Sequence, residues 1–314
     1  MKLGIDMGGM SIKMGLVNEE NKIIGRITIP TDLTVPYQTL VERMADAVRQ
    51  MLENAGMTLE QCEGIGIGSP GTIDAKQGVI LYSNNFGWEN VPIVEELKKH
   101  LDTRIEIAND ADAAALGEVC AGAAEGAENA VLLTLGTGVG SGVILDKKIF
   151  RGAMPGGCEL GHLSIRYDGI RCTCGRKGCL EAYASASALL RIAREKAAEH
   201  PESIMNEMCG NDLEQMNGKI PFDAAKAGDE AGMETVKEYE GYLACGIANV
   251  INTFRPEKVI LGGGVAAQKD NLTAPLKDLV KDMCFGGSHG HIADIVTSVL
   301  GNDAGIIGAA NLVV

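Results

Sequence analysis

One design occurs twice in this 314-residue chain: a buried strand, a glycine turn and a second strand that returns beside the first. The first copy reads LGIDMGGMSIKMGLV from residue 3, and the second reads LLTLGTGVGSGVIL from residue 132. At the usual domain size of about 100–200 residues, its length indicates either two domains or one large α/β domain. The two copies therefore predict a duplicated fold, in which each half begins with a strand hairpin.

Strands and helices alternate after each copy. In the first half, GIGIG and IEIA read as buried strands, SPGTID as a turn, and 37–55 as a helix with apolar residues at helical spacing. The second half predicts helices at 185–200, 233–254 and 272–283, strands at KVIL and 292–299, loops at CGNDLEQMNGK and GDEAGM, and a terminal helix at 303–314. This alternation favours an α/β fold with a parallel or mixed sheet covered by helices.

The charge of the chain limits its partners. A formal net charge of −14 argues against nucleic acid or an anionic membrane as the main partner, because those surfaces require clustered Lys and Arg. No apolar run reaches the roughly 18 residues that span a bilayer. The opening MKLGIDMGG differs from a signal peptide, since a charge and glycines follow within a few residues. We expect a cytoplasmic protein.

Glycine turns between strands allow backbone N–H groups to approach a phosphate closely. A single turn of this kind is more simply explained as a tight hairpin. Two copies at matching positions, and a third glycine run after a strand, favour a nucleotide held between two domains. The residues concerned are Gly8 and Gly9, then Gly136, Thr137 and Gly138, and finally Gly262, Gly263 and Gly264. The pattern is neither a P-loop nor a dinucleotide fingerprint.

Three polar residues follow predicted strands. Asp6 is either a turn-forming residue or a carboxylate that holds Mg²⁺ near the phosphates. Asn109 and Asp110 open a helix and are either plain caps or part of a site, since open α/β sheets bind ligands at the carboxyl ends of their strands. In the second case, Asp110 can accept the proton of a substrate hydroxyl during phosphoryl transfer.

A histidine and three cysteines cluster within one short stretch. His162, Cys172, Cys174 and Cys179 form a set of one nitrogen and three sulfurs that closes a tetrahedral Zn²⁺ shell. A redox site is disfavoured because the stretch lacks a C-x-x-C pair, and disulfides are disfavoured in a cytosolic protein. Cys158 is a further thiol that can replace one ligand. Because four protein ligands leave no open position, we expect a structural zinc.

Two glutamates frame this stretch. Glu159 and Glu181 are either solvated surface acids or acceptors for the vicinal hydroxyls of a sugar. His162 can bind zinc through one ring nitrogen and a sugar hydroxyl through the other. The position of the two acids beside the metal ligands favours the sugar site.

The chain resembles the ROK family of bacterial sugar kinases over nearly its full length. The resemblance rests on GIDMGGMSIKMGLV, GIGSPGTID, NNFGWENVP, NDADAAALGE, LTLGTGVGSGVI, GCELGH, CTCGRKGCLEAYAS and ILGGGVA, of which ELGH and CTCGRKGCLE are the most specific. It implies an actin-like, ribonuclease H-like fold with two α/β domains that flank a cleft for nucleotide and sugar. The implied domains are 1–115, completed by a helix at 302–314, and 116–301, which carries the zinc loop 159–181.

The resemblance also implies roles for single residues. Asp110 becomes the catalytic base, and Gly71, Asn109, Glu159, His162 and Glu181 join it in binding the sugar. The two glycine hairpins bind the phosphates of ATP, and His162 with the three clustered cysteines holds zinc. A homodimer or homotetramer is implied as well.

The implied activity is transfer of the γ-phosphoryl group of ATP to the 6-hydroxyl of glucose. The alternatives are a kinase for N-acetylmannosamine, N-acetylglucosamine, allose or fructose, and a non-catalytic sugar-binding regulator. The regulators of the family carry a helix-turn-helix domain ahead of the first glycine loop, whereas strand one here begins at Lys2. One departure concerns the donor: the family's first loop commonly reads Asp-x-Gly-Gly-Thr, and the threonine position here is Met10. The loss of that hydroxyl raises the question of whether the donor is ATP or polyphosphate.

Overall fold

The protein is described by a computed structural model over residues 1–289 and 292–313. The strands are β1 (Lys2–Met7), β2 (Ser11–Val17), β3 (Ile23–Pro30), β4 (Ile65–Ser69), β5 (Thr72–Asp74), β6 (Val79–Ser83), β7 (Trp88–Val91), β8 (Ile105–Asn109), β9 (Ala130–Leu135), β10 (Val139–Leu145), β11 (Lys148–Ile149), β12 (Lys258–Gly262) and β13 (Asp294–Thr297).

The α-helices are α1 (Tyr37–Asn54), α2 (Ile93–Lys98), α3 (Asp110–Ala121), α4 (Glu181–Ala184), α5 (Ala186–Glu199), α6 (Ile204–Met208), α7 (Ile220–Lys226), α8 (Glu230–Phe254), α9 (Asp270–Met283) and α10 (Asp303–Ala310). Short 3-10 helices occur at Leu59–Gln61, Leu160–His162, Leu213–Gln215 and Gly264–Gln268. Within the described ranges, no helix is both long enough and apolar enough to cross a membrane.

The two five-stranded sheets have related designs. The first has the order β3-β2-β1-β4-β8, with antiparallel pairing among β1, β2 and β3 and parallel pairing of β1 with β4 and of β4 with β8. The second has the order β11-β10-β9-β12-β13, with β10 and β11 antiparallel and β12 and β13 parallel. A third, antiparallel sheet contains β5, β6 and β7. The predicted duplication and the predicted mixed sheets are present.

Helix α10 lies unusually close to the first sheet. A Cβ atom at Gly4 of β1 would overlap the carbonyl oxygen of Ile306, and one at Gly66 of β4 would overlap that of Ala309. The helix also packs on α3, where a Cβ at Gly308 would overlap the carbonyl oxygen of Ala113. Glycines on strands and helices therefore allow backbone-to-backbone packing at this face.

The chain divides by compactness into two units. Unit 1 comprises Met1–Leu132, Gly142–Cys158 and Val299–Val314, of which Val314 lies outside the described residues. Unit 2 comprises Leu133–Ser141 and Glu159–Ser298. The domain boundaries predicted above, 1–115 with 302–314 and 116–301, stay a prediction.

Several local predictions were wrong. The second half of SPGTID is strand β5 instead of a turn, because Thr72–Asp74 pairs with β6. Residues in GDEAGM already belong to α8, because the Asp229 side chain accepts a hydrogen bond from the Gly232 N–H at 2.8 Å and caps the helix there. The terminal helix ends at Ala310, short of the predicted 314.

Candidate active site

The candidate catalytic carboxyl lies where β8 meets α3 in unit 1. Asn109 caps the helix: its Oδ1 accepts a hydrogen bond from the Ala111 N–H at 2.8 Å, and its Nδ2 donates to the Gly71 carbonyl at 3.1 Å. Gly71 has a φ of +113°, and a Cβ there would overlap the carbonyl oxygen of Tyr82. The structure thus brings Gly71, Asn109 and Asp110 together, and it requires glycine at position 71.

The environment of Asp110 makes its carboxyl a stronger base than an exposed one. Burial raises the pKa of Asp110, and hydrogen bonds from the backbone N–H groups of Ala111 and Asp110 and from the Asn109 side chain oppose this rise. Asp6 is close enough to interact: burial raises its pKa, the charge of Lys13 lowers it, and the charge of Asp110 raises it again. Two carboxyls with raised pKa values therefore face a shared region of unit 1, a pattern common at catalytic sites.

Asp6 has two neighbours that were not predicted from the sequence. Lys13 lies directly opposite Asp6 in the register of β1 and β2, so the predicted hairpin already contained the signal for this pair. Gly305 of α10 gives the carboxyl its space, because a Cβ there would lie 2.9 Å from the Asp6 Cγ. Nothing local in the sequence of α10 indicates this contact, since the two residues are far apart in the chain.

The first glycine turn is held by its backbone. The Gly8 N–H donates to the Ser11 carbonyl at 3.0 Å, and the Thr31 hydroxyl donates to the Gly8 carbonyl at 2.7 Å. Thr31 also donates its N–H to the Met10 carbonyl at 3.1 Å. The Met10 side chain is 91% exposed, so it plays no part in holding the turn. Thr31 was missed because it lies at the end of the next strand.

The second glycine turn, in unit 2, packs against the third glycine run. A Cβ at Gly263 would lie 2.5 Å from the carbonyl oxygen of Leu135, which directly precedes the turn. The start of α5 holds the other side, since the Ala186 N–H donates to the Gly136 carbonyl at 2.8 Å and the Ser187 hydroxyl donates to the Thr137 carbonyl at 2.9 Å. Gly262 ends β12, and Gly264 begins the 3-10 helix beyond it.

Glu181 and the second glycine turn are in direct contact. The Oε2 atom of Glu181 accepts a hydrogen bond from the Val139 N–H at 3.0 Å. Its Oε1 atom accepts from the Thr173 hydroxyl at 3.0 Å and from the Cys172 thiol at 3.4 Å. The carboxylate therefore lies between the cysteine stretch and the turn.

His162, Cys172, Cys174 and Cys179 converge, with all four ligand atoms within 4.8 Å of one another. The Cys174 and Cys179 sulfurs are 3.7 Å apart, and the Cys172 sulfur is 3.7 Å from His162 Nδ1. Zinc–sulfur bonds of about 2.3 Å at tetrahedral angles give a sulfur–sulfur separation of about 3.8 Å. The donor set fits zinc in both its chemistry and its spacing.

The pKa of the Cys174 thiol is lowered, first by a hydrogen bond from the Arg176 backbone, whereas burial raises the pKa of Cys172 and of Cys179. Burial, followed by hydrogen bonds with Cys174 and Cys172, raises the pKa of the Cys179 thiol to about 12. A bound dication offsets this cost, because it stabilises thiolates directly.

The segment that carries Glu159 and His162 is fixed at its centre. The Leu160 N–H donates to the Ser141 hydroxyl at 2.9 Å, and a Cβ at Gly161 would overlap the Val139 carbonyl oxygen. Glu159 is exposed and directly precedes the 3-10 helix Leu160–His162. Both side chains therefore sit on a backbone that is anchored to β10.

Comparison with known proteins gives consistent matches over the whole chain. A family model described as the ROK family matches residues 2–314. A glucokinase of Thermotoga maritima is 36% identical over 312 residues, which cover 99% of this chain and 96% of that protein. The crystal structure of a ROK family glucokinase from Streptomyces griseus in complex with glucose and AMPPNP matches with a TM-score of 0.79 and 32% identity, and the match covers 99% of this chain and 98% of that one. A ROK hexokinase from Thermus thermophilus matches with a TM-score of 0.81 and 32% identity, over 99% and 97% of the two chains.

Proposed function

The chain belongs to the ROK family, and from this premise we propose that it is an ATP-dependent glucokinase, which transfers the γ-phosphoryl group of ATP to the 6-hydroxyl of glucose. The observation that carries the proposal is the whole-length match to the Streptomyces griseus glucokinase, whose structure contains glucose and AMPPNP. The whole-length match to the Thermotoga maritima glucokinase, at 36% identity, supports the same activity.

Asp110 is proposed as the base of the reaction. As the 6-oxygen of glucose attacks the γ-phosphorus, its proton passes to the Asp110 carboxylate, and the bond to the bridging oxygen breaks with its electrons leaving on ADP. A pKa raised by burial suits this role, because it makes the carboxylate a stronger base toward the hydroxyl proton. Gly71, Asn109, Glu159, His162 and Glu181 are proposed to bind the hydroxyls of the sugar.

The glycine turns are proposed to bind the donor. Backbone N–H groups around Gly8 and Gly9, and around Gly136, Thr137 and Gly138, face phosphate oxygens without side-chain interference, with Gly262, Gly263 and Gly264 nearby in the second case. Asp6 is the residue of this set that would hold Mg²⁺, which neutralises charge on the phosphates. Gly305 leaves space for its carboxyl, and Lys13 lies opposite Asp6 in the strand register.

Zinc is proposed as a structural ion held by His162, Cys172, Cys174 and Cys179. With four protein ligands it has no open position, so its contribution is to fix the loop that carries Glu159 and Glu181. We also propose a homodimer or homotetramer, which light scattering measures directly, and a cytoplasmic location, since ATP is the donor.

The test is a coupled assay of ADP release with a panel of hexoses and phosphate donors. We expect glucose with ATP to give the highest kcat/KM of the panel. A higher value with N-acetylmannosamine, N-acetylglucosamine, allose or fructose would reassign the acceptor. Sugar binding without ADP release from any hexose would identify a regulator instead.

A further inference from the structure

Both oxygens of Glu181 are engaged within unit 2. Oε2 accepts the Val139 N–H at 3.0 Å, and this N–H belongs to the returning strand of the second glycine turn. Oε1 accepts the Thr173 hydroxyl at 3.0 Å, and Thr173 lies between two of the zinc-site cysteines. One carboxylate thus connects the cysteine stretch to a turn that faces the donor phosphates in the proposed function.

Gly138 shows how close this connection is. A Cβ at Gly138 would overlap Oε2 of Glu181 and would lie 3.1 Å from its Cδ. A Cβ at Gly136 of the same turn would meet no atom closer than the Gly138 carbonyl oxygen at 4.0 Å. The carboxylate therefore occupies the space that a side chain at 138 would need, whereas position 136 leaves room for one.

We propose that Glu181 is a positioning residue for the donor-phosphate turn as well as a sugar ligand, so that the sugar and donor subsites of unit 2 are coupled through one carboxylate. A sugar hydroxyl that bonds Glu181 also orders the Val139 N–H and the Gly138 backbone beside it. Conversely, a turn that is shaped for phosphate holds the carboxylate in the orientation that the sugar needs. The inference rests on the proposed function.

The coupling has a consequence for each ligand in the absence of the other. Loss of the Glu181 side chain removes the acceptor of the Val139 N–H, so nucleotide binding weakens even when no sugar is present. A residue that only binds sugar would leave nucleotide affinity without sugar unchanged. In the same way, a side chain at Gly138 displaces the carboxylate and weakens sugar binding without nucleotide.

The first experiment measures the Kd of AMPPNP with Mg²⁺ and no sugar, by calorimetry on the full zinc-loaded chain. Glu181→Ala is expected to raise this Kd about 5–20-fold. Glu181→Gln is expected to stay within about threefold of the parent, since the amide oxygen still accepts the Val139 N–H and the amide N–H₂ donates to the Thr173 hydroxyl. Thr173→Val, which keeps the carboxylate but removes the hydroxyl that donates to Oε1, is expected to raise the Kd about 2–5-fold. Zinc content is measured for every variant.

The second experiment measures the Kd of glucose with no nucleotide. Gly138→Ala is expected to raise it at least fivefold through displacement of Glu181. Gly136→Ala is the matched control: it adds the same methyl group to the same turn, but into open space, and glucose affinity is expected to stay within twofold of the parent.

The outcomes separate this inference from the proposed function. If the parent protein binds neither glucose nor AMPPNP, the proposed function fails and the inference fails with it. If the parent binds both, but Glu181→Ala leaves the AMPPNP Kd unchanged and Gly138→Ala leaves the glucose Kd unchanged, the inference alone is overturned. A Glu181→Ala variant that loses zinc is replaced in this test by Thr173→Val, whose unchanged AMPPNP affinity also counts against the inference.

Discussion

At the scale of single residues, Asp110 combines a proposed catalytic role with a cost in stability, and one substitution tests both. Its carboxyl is confined at the start of α3, and burial raises its pKa. Because its folded-state pKa lies above its unfolded value, the contribution of Asp110 to stability is lost as pH rises, so the buried carboxyl lowers the stability of the fold at neutral pH. A carboxyl that is buried at a cost in folding stability is therefore a candidate for a functional role.

Asp110→Asn keeps the shape of the side chain and removes the base. We expect kcat to fall about 10²–10⁴-fold, the usual contribution of a positioned general base, with a much smaller change in glucose affinity. We also expect the midpoint of thermal unfolding at pH 7.5 to rise, because the amide has no charged form that burial disfavours. Steady-state kinetics and calorimetry measure the two effects. A loss of turnover below tenfold would show that Asp110 is a cap and that another base acts.

Met10→Thr tests the donor turn. The Met10 side chain is 91% exposed and the turn is held by backbone bonds and Thr31, so we expect backbone N–H groups to suffice for the proposed phosphate contact. An added hydroxyl contributes about one hydrogen bond, roughly 0.5–1.5 kcal/mol net, so the KM for ATP should change only a few-fold. Kinetics with ATP and with polyphosphate decide the matter. A hundredfold gain with ATP, or a parent that prefers polyphosphate, contradicts the ATP assignment.

From the sequence, contacts could be predicted between residues that are neighbours in the chain. Asn109 and Asp110 were predicted to open a helix, and they do so, because a cap and its helix are neighbours in the chain. Gly305 was not identified as a neighbour of Asp6, because a contact between distant segments leaves no periodic signal. Thr173 was not paired with Glu181, although only eight residues separate them, because the stretch between them lacks the regular structure from which a contact can be predicted. The functional roles of all these residues stay predictions.

At the scale of elements, the cysteine stretch has little regular structure, and the proposed zinc would fix its shape. Between His162 and Glu181, its regular structure is limited to isolated bridges, Ser164 with Cys179 and Arg171 with Lys177. Cys174→Ser should lower the zinc content from about one ion per chain. It should weaken glucose binding at the same time, because the loop that carries Glu159 and Glu181 loses the metal that fixes it. Elemental analysis and glucose titration measure the two quantities. Complete metal loss with unchanged glucose affinity would refute the coupling.

Helix α8 contains a buried acid that makes stability depend on pH. Glu240 is 6% exposed, its Oε1 has no hydrogen-bond partner among residues 1–289 and 292–313, and burial raises its pKa to about 7. Because the folded pKa is raised, its contribution is lost as pH rises: we expect the free energy of unfolding to fall by about 1 kcal/mol from pH 6 to pH 8. Glu240→Gln should remove this slope in urea titrations, and an equal slope in both proteins would assign it elsewhere.

The packing of α10 on the first sheet requires glycine at several positions, of which Gly66 is the one tested. A Cβ at Gly66 of β4 would overlap the Ala309 carbonyl, so Gly66→Ala must displace the helix, and we expect a loss of at least about 3 kcal/mol. Gly25→Ala in β3 is the control, since its Cβ would meet Leu16 and Met51 at ordinary distances of 3.6 and 3.7 Å. Its effect should stay within about 0.5 kcal/mol. Similar unfolding midpoints in urea for the two variants would contradict the close packing.

Elements with long periodic patterns were predicted well, and short ones were not. Helix α1 was predicted at 37–55 and spans Tyr37–Asn54, because eight buried apolar residues recur on one face over its length. The small sheet of β5, β6 and β7 escaped prediction, since its three to five residues per strand are too few for a pattern and are interrupted by turn residues. Helices α6 and α7 were missed for the same reason.

At the scale of the whole molecule, the repeated hairpin was the most informative signal. The actin-like α/β fold and the membership of the ROK family are both confirmed by matches that cover the whole chain. The resemblance implied that a C-terminal helix returns to the first domain, but nothing in the sequence indicated that Gly142–Cys158 also belongs to unit 1, because which distant segments close a unit depends on packing between them. The repeat could predict two similar sheets, but not where the chain passes from one compact unit to the other.

The glycine-lined face of the first sheet also sets the order in which the protein can be completed during synthesis. The sheet ends at Asn109, but the helix that covers it begins at Asp303, roughly 190 residues later. At translation rates of about 5–20 residues per second, the face is without its cover for about 10–40 seconds. During that interval the nascent sheet offers backbone that no side chain shields, so binding by chaperones and cleavage by proteases should concentrate on it until α10 leaves the ribosome.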